Sequence, residues 1–223
     1  LSIHRCREDP KPPHKESVLR KKAPGSYHHG DLRRSLIAAG RMLLARNGAG
    51  GLSLREVAKV AGVSHTAPYR HFKDKAELLA AIAEAGFEQL RADADSTAGE
   101  HRDDPLRQYT HCAARYVRFA VENPETAHLM FGGGIDMRTA PPSLKQASWA
   151  TFELLMQIIE NGKQAGHYRA VDTMDLAVTT WSGIHGLSLL IANGYLSRLA
   201  SSDEQIDALS HRVAKLLLEG IQI

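Results

Sequence analysis

A dense set of hydrogen-bonding and basic side chains lies between residues 53 and 75 of the chain. Its members are Ser53, Arg55, Ser64, His65, Thr66, Tyr69, Arg70, His71 and Lys75. Hydroxyl, imidazole, guanidinium and ammonium groups are the donors that contact phosphate oxygens and the edges of bases. Most of these residue types are not core formers, so we expect them at the surface. Their chemistry therefore suits binding to a nucleic acid.

The distribution of charge along the chain supports this interpretation. Residues 1–75 contain 16 Lys and Arg against 6 Asp and Glu, a net of +10, whereas residues 76–223 contain 12 against 19, a net of −7. A basic third joined to an acidic remainder indicates a polyanion-binding module attached to a different kind of body. The 223 residues suffice for one large or two small domains, and 43% hydrophobic residues exclude disorder throughout.

The elements that position these side chains are two short helices joined by a tight turn, in residues 53–72. Ser53 and Glu56 form a capping box for the first helix, and Ser64 caps the second. Gly62 supplies the positive φ of the turn. Small and apolar residues fill the inner positions: Val57, Ala58, Ala61, Val63 and Phe72. This pattern predicts a helix-turn-helix whose second helix presents its polar edge to the major groove.

Residues 31–90 resemble the DNA-binding domain of the TetR family of transcriptional regulators. The matching positions are Ser53, Ala58, residues 61–64, Tyr69, His71, Phe72, Lys75 and Leu78. Two positions depart from the usual family pattern, because Thr66 stands in place of a glycine and Pro68 in place of a leucine. Since proline has no backbone N–H, Pro68 removes one early hydrogen bond of the second helix.

The resemblance implies an all-α protein that binds a pseudo-palindromic DNA operator as a two-fold homodimer. By resemblance, Tyr69, His71 and Lys75 would hold phosphates. The side chains of residues 64–66 would approach base edges, and Arg55 could reach either. The rest of the chain would then bind a small-molecule effector and form the dimer.

A second resemblance lies near the C-terminus. Trp181, His185 and Gly186 resemble the WHG type of TetR C-terminal domain, as do residues 26–32. The i, i+4 spacing places Trp181 and His185 on one helical face. Two interpretations stay open: a packed tryptophan beside a hydrogen-bonded buried histidine, or direct contact with a ligand.

Large side chains of the central helices are the candidates for an effector pocket. They are Tyr116, Phe119, Met130, Phe131, Trp149, Phe152, Met156 and Trp181, with Thr180, His185 and His128 as polar members. The same residues could form an ordinary core. If they line a pocket, it suits a small, largely apolar effector.

The whole chain is predicted to contain about nine helices and no strand. We expect a flexible basic arm at 1–26, the helix-turn-helix domain at 27–90, and a helical effector-binding and dimerisation domain at 91–223. The first helix should end at Asn47-Gly48. Later helices should start at Asp74, Asp104-Pro105, Asn123-Pro124, Ser143 with Gln146, Asp172, and Ser202 or Asp203. Helix 75–91 would couple the two domains, and helices 173–195 and 203–219 would form the dimer.

Other kinds of site find little support. The twelve histidines show no metal-ligand spacing, Gly132–Gly134 is not followed by Lys-Ser/Thr, and no Gly-x-Ser-x-Gly is present. We therefore expect no enzyme, metal or cofactor, and free thiols at Cys6 and Cys112. The uncharged run 176–197 contains several polar residues and indicates a helix buried in protein, so we expect a cytoplasmic protein without a membrane partner. Two other classes stay open: a non-specific DNA-organising protein, or a helical ligand-binding protein whose DNA domain does not function.

Overall fold

The structure, a computed structural model, describes residues 29–220. It contains eight α-helices, one short 3₁₀ helix and, within the described residues, no strand, which confirms the predicted all-α class. The α-helices are α1 (His29–Gly51), α2 (Leu54–Val60), α3 (Lys75–Glu100), α4 (Pro105–Glu122), α5 (Pro124–Met130), α6 (Pro142–Gln164), α7 (Thr173–Ala192) and α8 (Asp203–Glu219). The 3₁₀ helix is Pro68–Arg70. The predicted arm at 1–26 and Cys6 lie outside the described residues.

Local capping explains where most helices begin. Five helices start after a side chain that accepts a hydrogen bond from a backbone N–H of the first turn: Ser53, Asp74, Asp104, Asp172 and Ser202. Each cap satisfies a donor that the helix itself cannot pair. The predicted starts at these residues are confirmed, as is the start of α5 at Asn123-Pro124.

The two helix ends predicted in the N-terminal half have different outcomes. The backbone leaves helical geometry at Gly48, as predicted, and a short helical turn beyond this kink extends α1 to Gly51. Gly48 has the expected positive φ, 64°, but its ψ of 175° is not that of the left-handed helical conformation. α3 does not end near residue 91 but runs to Glu100, because residues 91–98 contain three alanines that favour helix. It therefore passes through the predicted domain boundary at residue 90.

The predicted cap of α6 is also wrong. α6 begins at Pro142, where a missing N–H costs no helical hydrogen bond. Ser143 lies inside the first turn, and its hydroxyl donates to Glu84 Oε2 at 2.7 Å. This side chain therefore joins α6 to α3 instead of starting the helix.

Two apolar clusters hold the helices together. The first packs α1, α2 and Phe72 against α3 and α5, with Leu36, Val57 and Ile82 fully buried. The second lies among α4, α6, α7 and α8 and includes Val117. Burying one such aliphatic side chain contributes about 1.5–3 kcal/mol. α3 packs on α1, α4, α5 and α6, so it is the element shared by the N-terminal domain and the body.

An ion-pair network fixes α8 on α4. The guanidinium of Arg118 contacts Asp203 Oδ2 at 2.9 Å and the carboxylate of Asp207, and Glu122 Oε1 lies 3.9 Å away. The Arg118 side chain is 14% exposed, so these partners compensate a largely desolvated charge. No helix in residues 29–220 combines the length and apolarity required to cross a bilayer.

Candidate functional site

The first half of the helix-turn-helix has the predicted geometry. The Ser53 hydroxyl accepts the Glu56 N–H at 3.2 Å, and Val57 is fully buried on the inner face of α2. Gly62 has φ 69°, a conformation that other residues rarely adopt. The turn then brings the Val63 N–H to the Ala58 carbonyl at 3.0 Å. The predicted cap and glycine turn are both confirmed.

The second half is not the regular α-helix predicted to start at Ser64. Residues 64–67 form a turn in which the Ala67 N–H donates to the Ser64 carbonyl at 3.0 Å. The 3₁₀ helix Pro68–Arg70 follows. Pro68 is buried and has no N–H to donate to the Ser64 carbonyl, so the α-helical pattern cannot begin there. Beyond it, the Phe72 N–H donates to the Pro68 carbonyl at 2.9 Å, which is α-helical spacing.

The structure places most predicted DNA contacts at the surface. Six are exposed: Arg55, Ser64, His65, Thr66, Tyr69 and Arg70. Three are half-buried: Ser53, His71 and Lys75. We refer to residues 64–70 as the recognition segment. Its only fully buried residue, Pro68, faces the core and leaves the polar side chains on either side outward. Tyr69 is 58% exposed, so its ring and hydroxyl are accessible to a partner.

Two contacts fix the base of this surface. Lys75 Nζ donates to the Gly50 carbonyl at 2.9 Å and so joins the start of α3 to the end of α1. An ammonium group has three donors, so it can still contact an anion. The Arg33 guanidinium lies 5.6 Å above the Phe72 ring centroid, a cation–π distance. The recognition segment is therefore held between α1 and α3 with its polar groups outward.

A cavity of about 740 Å³ opens among α3, α4, α6, α7 and the connection between α5 and α6. Its wall is largely apolar, as is typical of small-molecule sites. Six of the predicted effector residues line it: Tyr116, Met130, Phe131, Trp149, Phe152 and Trp181. Thr180 also lines it.

Four predicted effector residues are not part of the cavity wall. Phe119, one turn after Tyr116 on α4, is buried in the first apolar cluster. Met156 packs in the second cluster on α6. His185 lies behind Tyr116, and His128 is exposed elsewhere. Residue type alone suggested these positions, whereas the packing of the helices against one another decides which side chains reach the cavity.

Sequence reasoning missed the contribution of α3 and the first half of α4. Phe87 and Leu90 of α3 line the cavity, as do Tyr109 and Cys112 of α4. The spacing of Tyr109, Cys112 and Tyr116 is i, i+3, i+7, which marks one helical face and could have predicted this wall. Burial raises the pKa of the Cys112 thiol to about 12, so it stays protonated. It is a free thiol, as predicted.

Trp181 and His185 are joined through Tyr116. Trp181 Nε1 donates to Tyr116 Oη at 3.2 Å, and Tyr116 Oη lies 2.8 Å from His185 Nδ1. Burial raises the pKa of Tyr116 and lowers that of His185, so both are neutral near pH 7. If the Tyr116 hydroxyl donates to Nδ1, all three polar groups are paired. This arrangement favours the interpretation of a packed tryptophan and a hydrogen-bonded histidine, with the Trp181 ring also lining the cavity.

No group of three or more His, Cys, Asp or Glu side chains is arranged to hold a metal ion in the described part of the chain.

An exposed helix-turn-helix carried by a helical body with a large internal cavity defines a DNA-binding regulator. Two family models match the chain: bacterial regulatory proteins of the tetR family over residues 36–82, and a tetracyclin repressor-like C-terminal domain over residues 109–215. The second match includes Trp181, His185 and Gly186. The chain belongs to the TetR family of transcriptional regulators.

Known proteins agree with this assignment. An HTH-type transcriptional regulator of Mycobacterium tuberculosis is 34% identical over 113 residues, which are 48% of this chain and 46% of the relative. The chain thus spans about half the length of the curated relatives it matches. A protein of unknown function from Rhodococcus sp. RHA1 is 32% identical, with a TM-score of 0.78 over 89% of this chain and 99% of that one.

Two further structures share the fold. A tetR-family regulatory protein from Rhodococcus RHA1 is 22% identical, with a TM-score of 0.65 over 86% of this chain and 97% of that one. The regulator FadR from Bacillus subtilis, solved in complex with stearoyl-CoA, is 18% identical, with a TM-score of 0.63 over 85% of this chain and 99% of that one.

Proposed function

We propose that this regulator is a homodimeric repressor that leaves a pseudo-palindromic operator when a small, largely apolar molecule fills the cavity. It would act in the bacterial cytoplasm, where operator DNA lies. The observation that carries the proposal is the apolar cavity of about 740 Å³ in the same chain as an exposed recognition segment, with α3 starting just after that segment and lining the cavity. FadR of Bacillus subtilis, a protein of the same fold, is found with stearoyl-CoA, and the apolar acyl chain of that molecule is the kind of group that this cavity suits.

The DNA-binding role rests on the exposed side chains of the recognition segment. Tyr69, through its hydroxyl, is proposed to hold a phosphate together with His71 and Lys75. The side chains of residues 64–66 are proposed to approach base edges. Arg70 adds an exposed guanidinium beside Tyr69. A neighbouring subunit would place the same groups one helical repeat of DNA away, at the second half-site.

The route from the cavity to the DNA is proposed to be α3. Lys75 begins this helix beside the recognition segment, while Phe87 and Leu90 line the cavity. Gly86 permits a close approach of α5, because a Cβ atom there would lie 2.6 Å from Met130 Sδ. Met130 itself lines the cavity, so a ligand that displaces it would press on the backbone of α3. The coupling cannot exceed the difference in ligand affinity between the two states, typically about 1–3 kcal/mol.

The dimer is proposed to form through α7 and α8. Leu189 and Leu190 near the end of α7 are 41% and 45% exposed, and Leu216 of α8 is 65% exposed. Gly183 lets α8 lie close, since a Cβ atom there would be 2.7 Å from Leu217 Cδ1. Two such helices from each subunit would make a four-helix interface that buries these leucines.

Fluorescence anisotropy with DNA from upstream of its own gene tests the regulator. The protein should bind this DNA more tightly than a scrambled duplex of equal length. Arg70→Ala should weaken binding roughly tenfold and reduce the salt dependence by about one phosphate contact. Tyr69→Phe, which removes only the hydroxyl, should weaken binding without unfolding the protein.

The matched control is Arg102→Ala. It also removes one exposed positive charge, but Arg102 follows the far end of α3, roughly 39 Å along the helix from Lys75 at 1.5 Å per residue. Its affinity should stay within about twofold of the wild type. Equal binding to specific and scrambled DNA would instead identify a non-specific DNA-organising protein. A monomer in light scattering at micromolar concentration would contradict the two-half-site arrangement.

A further inference from the structure

Charge is distributed unevenly around the cavity. Among the described residues, Lys145 is the one charged side chain in the cavity wall. The other side chains of the wall are mostly aromatic, aliphatic or sulfur-containing, with a few hydroxyl groups. The hydroxyls of Thr151 and Thr180 donate to backbone carbonyls of their own helices at 2.9 and 2.8 Å. The wall therefore offers a ligand an apolar surface and a single positive charge.

This charge lies at the open end of the cavity. Lys145 and Trp149, one turn apart on α6, are both exposed. Further along the same helix, Phe152 is half-buried and Ile158 is 3% exposed. All four residues line the cavity. Over the roughly 20 Å from Lys145 to Ile158, at 1.5 Å per residue, the wall thus changes from exposed and charged to buried and apolar.

The Lys145 ammonium is held at the rim of the cavity. Its Nζ donates to the Arg138 carbonyl at 2.9 Å, and the adjacent Met137 lines the cavity. An ammonium group has three donors, so this contact leaves others for a ligand. The carboxylate of Asp136 lies nearby, and its pKa is lowered mainly by the Arg138 guanidinium, 2.8 Å away, and less by Lys145. Together these three side chains carry one net positive charge.

The rest of the wall disfavours a charge deeper in the cavity. Burial raises the pKa of the Cys112 thiol to about 12 and raises that of Tyr116, so both groups are neutral. An ionised group at the closed end would lack a countercharge, which is costly. At the rim, an anion keeps part of its hydration and meets Lys145. A cation would meet a like charge there, since the nearby Glu153 is outside the wall and accepts from Trp149 Nε1 at 2.6 Å.

We infer that the ligand of this cavity is an amphipathic anion, whose apolar body fills the cavity and whose carboxylate binds the Lys145 ammonium at the rim. That such a ligand acts as the effector rests on the proposed function. The apolar body should supply most of the affinity, because it is removed from water. The ion pair remains partly solvated, so its main contribution is selectivity for an anion.

Decanoate, 1-decanol and decylamine test the inference, because they have the same chain length and differ in the charge of the head group. Each is titrated against protein loaded with the fluorescent probe N-phenyl-1-naphthylamine, at about pH 8, where carboxylate and amine are both charged. The variant Lys145→Met removes the ammonium and keeps an unbranched apolar side chain. Lys59→Met is the matched control, because Lys59 is an exposed lysine of α2 outside the cavity wall.

The wild type should bind decanoate more tightly than decylamine. In Lys145→Met, the affinity for decanoate relative to 1-decanol should fall about fivefold, as expected for a partly solvated ion pair. In Lys59→Met this ratio should stay within about twofold of the wild type. Lys145→Glu should reverse the order of decanoate and decylamine. The affinity for 1-decanol should persist in every variant, which shows an intact cavity.

The outcomes separate the inference from the proposed function. The same ratio of decanoate to 1-decanol affinity in the wild type and in Lys145→Met would overturn the role of Lys145 and leave the cavity as a ligand site. Equal affinity of the wild type for decanoate and decylamine would overturn the selectivity for an anion. Failure of the wild type to bind the probe or any of the three compounds would remove both the inference and the proposed effector site. The expected ratios without release of operator DNA by decanoate would support the ligand class and contradict the effector role.

Discussion

Tyr109 and Tyr116 lie two turns apart on α4 and line the same cavity, but they should respond oppositely to loss of their hydroxyl groups. Tyr116 Oη is paired with both Trp181 and His185, whereas Tyr109 Oη forms no well-aligned hydrogen bond within the described residues and has only the Thr180 hydroxyl near it. Replacing each by phenylalanine makes the same chemical change in two hydrogen-bonding environments. We expect Tyr116→Phe to destabilise the protein and Tyr109→Phe to stabilise it slightly.

The magnitudes follow from the partners. In Tyr116→Phe, the Trp181 N–H and the His185 Nδ1 both lose a neutral hydrogen bond worth about 1 kcal/mol, so the free energy of unfolding should fall by about 2 kcal/mol. In Tyr109→Phe no bond is lost and an unpaired buried hydroxyl disappears, a gain of about 1 kcal/mol. The two variants should therefore differ by about 3 kcal/mol, or about 6–12 °C in Tm for a chain of this size.

Urea unfolding measures this difference. Circular dichroism follows helix content, and fluorescence follows Trp149 and Trp181, the only two tryptophans. All variants are compared at one protein concentration, because a dimer gains stability with concentration. The m-values should agree, so that the midpoints alone report stability. Equal losses in the two variants, or a less stable Tyr109→Phe, would refute the assigned hydrogen bonding.

Other substitutions test packing and protonation. Gly162→Ala should cost about 3 kcal/mol in urea unfolding, because its Cβ would lie 2.0 Å from the buried Tyr168 ring. Gly99→Ala, with no atom within 4 Å, should instead gain about 0.5–1 kcal/mol, and a similar loss at both sites would contradict the packing argument. Burial and the neighbouring His111 lower the pKa of His211, so the unfolded chain takes up this proton first as pH falls. Stability should therefore decrease below about pH 6.5, and His211→Gln should flatten the decrease measured by thermal unfolding; an unchanged slope would exclude His211 as its source.

The features that the sequence predicted well are those decided by neighbouring residues. The caps at Ser53 and Asp74 need only a side chain and a backbone N–H three residues later, and the turn needs only the freedom of Gly62. The prediction of a regular second helix in the motif was wrong because of Pro68, whose effect depends on tertiary packing as well as on the local sequence. Pro68 removes one donor, but whether an α-helix survives this depends on how its ring packs in the core, which no spacing rule specifies.

The cavity could be predicted only in part for a related reason. Large apolar residue types identified Phe131, Trp149 and Trp181, because a cavity and a core use the same side chains. They also identified Phe119, but helix packing places this side chain in the first apolar cluster and not in the cavity wall. The unpaired hydroxyl of Tyr109 is a property of several helices together, so no single segment of sequence contains it.

The full length of α3 matters to the proposed coupling because it fixes where the helix can move. Its last turns, which extend beyond the predicted end, are tied to α4: Gln108 Nε2 donates to the Ala98 carbonyl at 2.9 Å, and Cys112 Sγ lies 3.4 Å from the Ala94 carbonyl. We therefore expect a displacement at Gly86, nearer the other end, to tilt the first turns instead of sliding the whole helix. Those turns begin at Lys75, just after the recognition segment. A helix ending at residue 91 would lack these contacts with α4. In the proposed coupling, the longer α3 is held at its C-terminal end and can transmit a displacement to its N-terminal end.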